Sequence, residues 1–307
     1  MPLNSTAALQ TTTPHRGGFH KVGPHGIAYL LHNEHLLADP AVTPLVLVHG
    51  LSMSVRFWEL AMLPEIEHGL PWLSVSLPLH YPSVYDGPAQ EAELEVSAFA
   101  KTLGETIAHV FGPQREVLVA GHSVGAMSAM AYAAFYPANC RAVLSVGGFT
   151  TGRAKGLEGG LQLLTAGRPL TKRIFELVWR TKQRSLWFTR QIVKQYAADA
   201  AALERFAPFR PTLRLVHRDM ARHDIDGIYQ MMRQLYYVDL LPFFREIACP
   251  IWVVAGTEDP VVDFAHQVAY ARDLPTATLF EIAGAGHLSF AERPEEFNVV
   301  LRAFAGV

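Results

Sequence analysis

The chain has 307 residues, half of them apolar, enough for one large α/β domain with an insertion or for two modest domains. A formal charge of −2 gives no reason to expect nucleic acid as a partner of the whole chain. The two cysteines, Cys140 and Cys249, form no metal-ligand or redox spacing and read as reduced structural residues, and no apolar run approaches the roughly 20 residues that span a bilayer.

Residues 1–18 are rich in Thr, Ser and Ala and lack the basic start and apolar segment of a secretory signal, so a flexible tail and a cytoplasmic location are expected. Residues 19–33 predict a hairpin turning at Gly23-Pro24-His25-Gly26. Residues 45–48 are a short, wholly apolar run of the buried parallel-strand type, ending at His49-Gly50-Leu51-Ser52. Residues 55–68 predict a partly helical segment broken by Pro64, residues 72–77 another apolar strand, and residues 91–111 a helix with acidic residues near its start. A strand at 116–120 then enters Gly121-His122-Ser123-Val124-Gly125 and a small-residue helix, with a further strand at 142–146.

This alternation predicts an α/β fold, a mostly parallel sheet flanked by helices. It stops at Gly147-Gly148. Residues 151–245 show no buried strand and read as helices broken by Pro169, Pro208, Pro211 and Pro242. The alternation resumes after Cys249-Pro250, with strands at 251–255 and 278–282 and helices at 262–272 and 294–305. The expected organisation is a tail (1–18), a sheet domain in two pieces (19–150 and 246–307) and an inserted helical cap (151–245).

Gly121-His122-Ser123-Val124-Gly125 is a G-x-S-x-G in a strand–turn–helix setting. A serine on a sharp, strained turn needs neighbours without bulk two residues to either side, and a helix starting after it aims N–H groups at a developing oxyanion. The pentapeptide alone also fits a tight turn that merely holds a serine. Acyl transfer further requires a base and a group to orient it. His287, in the small-residue loop 283–289 after the last strand, is the candidate base. Asp259, in Gly256-Thr257-Glu258-Asp259-Pro260, is the candidate orienting acid, with Glu258 and Asp263 as alternatives.

With these residues in view, the chain resembles the α/β-hydrolase family from about residue 18 to 307. The resemblance rests on His49-Gly50, Gly121-His122-Ser123-Val124-Gly125, Gly256-Thr257-Glu258-Asp259 and Gly286-His287, in that order, each after a predicted strand. It implies a Ser123–His287–Asp259 triad and an oxyanion hole from the backbone N–H groups of Leu51 and Val124. It implies no metal or organic cofactor. His49, Gly50 and His122 flank the site and are expected to pack and hydrogen-bond around it. Where many relatives carry an acidic residue and Gly-x-Gly, this chain has Ser76-Leu77-Pro78-Leu79-His80-Tyr81. The serine nucleophile separates it from the epoxide hydrolases and haloalkane dehalogenases. The expected activity is hydrolysis of a small-molecule carboxylic ester, lactone or thioester. Carbon–carbon bond hydrolases, perhydrolase-type enzymes, acyltransferases, hydroxynitrile lyases and slow-turnover receptors share the same machinery.

Among 14 histidines, His15, His20, His25, His32 and His35 are expected to be solvated, and His217 and His223, near Asp219, Asp224 and Asp226, match no familiar metal spacing. Residues 151–245 hold 17 Lys or Arg against 8 Asp or Glu, whereas the rest of the chain holds 9 against 20. Three readings account for the asymmetry: a cap with solvated basic outer faces docked on an acidic domain, attraction of an acidic substrate, or peripheral contact of the cap with anionic membrane. The many aromatics of the insertion predict a hydrophobic acyl pocket under all three.

Overall fold

A computed structural model describes residues 15–60, 62–87 and 90–307. The expected tail therefore lies mostly outside the described residues, and its last four positions belong to the sheet. Strand β1 (His15–Val22) pairs antiparallel with β2 (His25–His32), with His15 opposite His32. The hairpin thus starts four residues earlier than the sequence suggests and turns at Gly23-Pro24.

The described residues form a sheet of nine strands. Its centre is parallel: β4 (Trp72–Val75), β3 (Leu45–Val48), β6 (Val117–His122), β7 (Cys140–Val146), β8 (Ile251–Gly256) and β9 (Ala277–Ile282) lie side by side. β2 joins antiparallel to β4, and the two-residue β5 (Val84–Tyr85) pairs with β2. Every residue of β3, β4 and β6 is buried. That is why these strands read as mostly apolar runs rather than alternating ones.

Helix α1 (Pro64–Gly69) follows β3, and α2 (Val96–Phe111) packs on α3 (Val124–Phe135), which lies against β6 and β7. Eleven of the twelve residues of α3 are buried, so its Ala- and Met-rich sequence serves contact on every side. Pro64 opens α1 at its first turn instead of breaking a helix. A first-turn proline gives up no intrahelical hydrogen bond and pre-sets φ. The 91–111 segment is split at Glu95 into a single 3-10 turn and α2.

Between β7 and β8 come six α-helices and a 3-10 turn at Leu241–Glu246: α4 (Gly156–Leu163), α5 (Pro169–Arg184), α6 (Leu186–Lys194), α7 (Ala200–Arg205), α8 (Phe209–Met220) and α9 (Ile225–Leu235). The prolines of this stretch start helices too. Pro169 is in the first turn of α5, and Pro208 precedes α8 directly. Asp199, Asp224 and Ser185 cap α7, α9 and α6 by accepting first-turn N–H groups. Helix α10 (Phe264–Asp273) packs on β8 and β9, the short α11 (Ser289–Glu292) leads into α12 (Pro294–Ala305), and α12 covers β9.

Two histidines of the hairpin depart from the solvated expectation. His32 is buried and stacks on Trp72 with ring centroids 3.5 Å apart, and His25 is buried against Tyr85. An imidazole facing the sheet interior packs as an aromatic ring, and burial lowers the pKa of His32 to about 3. Cys140 and Cys249 are free, buried and 3.6 Å apart at sulfur. No helix among the described residues is long and apolar enough to cross a membrane.

Candidate active site

Ser123 joins β6 to α3 with φ 55° and ψ −116°. Such a conformation costs an L-residue of order 1–3 kcal/mol and persists only where the surroundings enforce it. Here the Ser123 N–H donates to the Val146 carbonyl at 2.9 Å, and its own carbonyl accepts from Ala126 and Met127. A Cβ on Gly121 would lie 2.2 Å from the Gly125 carbonyl oxygen, and one on Gly125 would lie 2.3 Å from that of Val48. The two glycines therefore let the turn close on itself and on β3.

His287 lies in the loop between β9 and α11. Its Nδ1–H donates to Asp259 Oδ2 at 2.8 Å, and both side chains are buried. Asp259 Oδ1 accepts the N–H groups of Val261 and Val262 at 2.8 and 2.9 Å, and Gln267 reaches Oδ2 at 3.3 Å. With the proton held on Nδ1, Nε2 is the nitrogen left to act as a base. The loops approach closely because Gly256 and Gly286 carry no side chain. A Cβ on Gly256 would meet the Gly286 oxygen at 2.3 Å, and one on Gly286 the Ala198 nitrogen at 2.4 Å. Of the alternative acids, Glu258 is exposed, while Asp263 caps α10 and pairs with Lys155.

Ser123, His287, Leu51 and Val124 line one cavity, open to solvent, with about 690 Å³ of space when its mouth is included. The N–H groups of Leu51 and Val124 make no hydrogen bond to another described residue, which leaves both donors available to an oxygen in the cavity. The walls are mainly apolar, with Met53, Phe149, Met232, Leu235, Val262 and Leu288 among them. Arg153, Glu158, Gln162 and Tyr196 add polar groups, and the Tyr196 hydroxyl donates to Glu158 at 2.6 Å.

His49, Gly50 and His122 surround this constellation. His122 Nε2–H donates to the His287 carbonyl at 2.9 Å, tying the serine turn to the histidine loop. His49 Nδ1–H donates to the Gly50 carbonyl at 2.8 Å, and its Nε2 accepts the Leu77 N–H at 3.0 Å. Burial keeps both rings neutral: it lowers His49 well below 6.5 and His122 to about 3. A Cβ on Gly50 would come within 2.8 Å of His122 Nδ1.

Several residues around the site escape a reading of the sequence. In the 76–81 segment, buried His80 accepts the Ser52 N–H at Nε2, 3.0 Å away, and donates Nδ1–H to the Pro78 carbonyl. Lys182 of α5 is buried, with Nζ 3.4 Å from Ser52 Oγ and 4.2 Å from the Trp179 ring centroid. Burial lowers its pKa. The signal was its spacing: Phe175, Trp179 and Lys182 fall at i, i+4 and i+7, one stripe of one helix. Arg56 and Asp219 form a buried ion pair at 2.7 Å between the sheet domain and α8. Glu292 accepts the N–H groups of Gly286 and Asp199, and His287 N–H donates to the Tyr196 carbonyl, so the histidine loop is also fastened to the insertion. His217 donates to the Lys182 carbonyl at 3.0 Å, and the His223 ring meets that of His80.

The model of the Alpha/beta hydrolase family matches residues 45–300. The chain is similar to 3-oxoadipate enol-lactonase 2 of Acinetobacter baylyi, at 31% identity over 85 residues, 28% of this chain and 32% of that protein. The matched stretch thus spans about a third of that curated relative's length. Among solved structures, the enol-lactonase from Burkholderia xenovorans LB400 superposes with a TM-score of 0.72 at 17% identity, covering 94% of this chain and 100% of that one. The esterase RhEst1 from Rhodococcus sp. ECU1013 gives 0.69 at 18% identity, covering 95% and 98%. At these identities the likeness shows a shared fold.

Proposed function

The chain belongs to the alpha/beta hydrolase family, and on that premise we propose that it is a serine hydrolase of carboxylic esters, lactones or thioesters with a hydrophobic acyl group. Ser123 Oγ attacks the carbonyl carbon while His287 Nε2 takes its proton. The resulting oxyanion receives the Leu51 and Val124 N–H groups, each such donor being worth roughly 100- to 1000-fold in turnover. Collapse breaks the bond to the leaving oxygen or sulfur, which takes the proton from His287 and departs or, in a lactone, swings away. Water then loses a proton to His287 and attacks the acyl-enzyme, and a second collapse returns the proton to Ser123 and releases the acid. Asp259 holds the Nδ1–H tautomer throughout and balances the imidazolium.

The observation that carries this reading is the 2.8 Å contact of Asp259 with His287 at the wall of the cavity that also holds strained Ser123. The apolar walls support an acyl or ring group over a sugar or peptide. The esterase and enol-lactonase names of the fold neighbours support the ester and lactone part of it. The test is labelling by an alkyl fluorophosphonate with mass-spectrometric mapping. The expected adduct is a single phosphonyl group on Ser123, absent from Ser123→Ala; labelling elsewhere would reject the assignment.

A further inference from the structure

Helix α5 is apolar on two opposite faces. Phe175, Trp179 and Lys182 form its buried side. The other side presents Leu170, Ile174 and Leu177, which are 69%, 43% and 67% exposed. Their i, i+4, i+7 spacing aligns them in one stripe. Leu163 at the end of α4 is 67% exposed, and Trp187 at the start of α6 is 69% exposed. Of the six large apolar side chains at least 66% exposed among the described residues, four lie within 163–187. A face meant only for water carries charge along its centre, and this one does not.

The charge lies along its flank. Arg173, Arg180 and Arg184 project along one side of the stripe at helical spacing, and Arg168 precedes it; all four are exposed. Residues 163–194 contain eight Lys or Arg and a single acidic residue, Glu176. Arg180 reaches Glu176 at 3.9 Å, and no ion pair among the described residues includes Arg173 or Arg184.

We propose that this face of α5, with Leu163 and Trp187, docks on an anionic lipid surface. An apolar stripe beside cationic side chains lets aliphatic groups enter the acyl boundary while guanidinium groups meet phosphate headgroups, with tryptophan at the interface. A twofold contact that packed two α5 helices antiparallel through this face would set the arginines against each other. Helix α4 connects this surface to the cavity: Glu158 and Gln162 line the cavity, while Leu157 and Leu163 of the same helix are exposed. Docking places the outer wall of the cavity against the bilayer, a reservoir of molecules with apolar chains. The lipid contact itself does not depend on the hydrolase reading.

The experiment is co-sedimentation of the full chain with phosphatidylcholine vesicles, with and without phosphatidylglycerol, at low and high salt. The expected result is binding to the anionic vesicles, weakened by salt and absent with phosphatidylcholine alone. Arg173→Gln with Arg184→Gln lowers the partition by roughly 30-fold, and Leu170→Gln with Leu177→Gln and Trp187→Gln abolishes it. Both variants keep wild-type circular dichroism and wild-type turnover of a water-soluble ester, because these side chains are exposed. Ser123→Ala sediments like the wild type, which separates this test from that of the hydrolytic reading. Failure to bind anionic vesicles, binding unaffected by either set of substitutions, or a dimer in sedimentation velocity that the apolar substitutions dissolve without any vesicle binding would each overturn the proposal.

Discussion

Lys182 Nζ and Ser52 Oγ lie 3.4 Å apart in a region closed to solvent, one on the helical insertion and the other on the loop after β3. The same loop carries Leu51, which packs against the Phe175–Trp179 cluster. A buried ammonium beside a hydroxyl and an indole face has little to offset its desolvation. Lys182→Met keeps the volume and removes the charge, so stability is expected to be unchanged or higher. Ser52→Ala strands the ammonium and is expected to cost about 1–3 kcal/mol. In both variants the Leu51 N–H loses a brace, so kcat for an ester should fall roughly 10- to 100-fold with KM nearly unchanged. Chemical denaturation and steady-state kinetics on the two variants check the opposite signs.

The Arg56–Asp219 pair is the buried electrostatic link between the sheet domain and α8, with both side chains 5% exposed. Asp219→Ala leaves the guanidinium without this carboxylate, and the expected loss is about 3–5 kcal/mol. Replacing both residues by apolar ones of similar volume should recover most of it, which a double-mutant cycle by urea denaturation would measure.

Stability should decline on acidification. Burial holds His32 and His122 to pKa values of about 3 and His80 to about 4, against an ordinary 6.5. From pH about 6.5 downward the unfolded chain therefore binds protons that the folded chain refuses. The stability these residues contribute is full above that pH and is lost as pH falls toward 3 to 4. Glu59 acts in the opposite sense. Burial raises it to about 7, so its contribution is present below 4.5 and lost as pH rises through 7. Burial also lowers His49 and His223 and raises Asp219 and Glu292, and the buried imidazoles outnumber the buried carboxyls, so the net slope is positive with pH. His32→Phe, which keeps a ring on Trp72, should flatten the urea midpoint between about pH 7.5 and 5.

The parallel core is legible in the sequence because strands buried on both faces leave continuous apolar runs, as in the Leu45–Val48 strand. The Ser123 turn is legible because its glycines have no substitute where backbones come within a Cβ radius. The prolines of the insertion are harder to read. A proline that starts a helix and one that ends a helix look alike until the packing of the next segment is known. Lys182 hides for a related reason: its spacing marks the core stripe, but a lysine there normally implies a helix edge, and the contact with Ser52 from another element reveals it as interior. His32 is misread because an imidazole on a strand gives no sign of whether it faces water or Trp72. The outer face of α5 is obscured because its apolar residues belong to two stripes, one buried and one exposed, and their sum blurs the period.

Nucleophilic acyl transfer by Ser123 is the step on which the proposed function stands. The decisive measurement is multiple-turnover kinetics on short and long p-nitrophenyl esters, acyl lactones, acyl thioesters and a ring-cleavage dienone, each with wild type and Ser123→Ala. One oxygen- or sulfur-ester class is expected to exceed the others by roughly 100-fold, about 2.7 kcal/mol of differential transition-state binding, and Ser123→Ala is expected to abolish its turnover. Undiminished ester turnover by Ser123→Ala, or a dienone turned over far faster than every ester, would contradict nucleophilic ester cleavage at this serine.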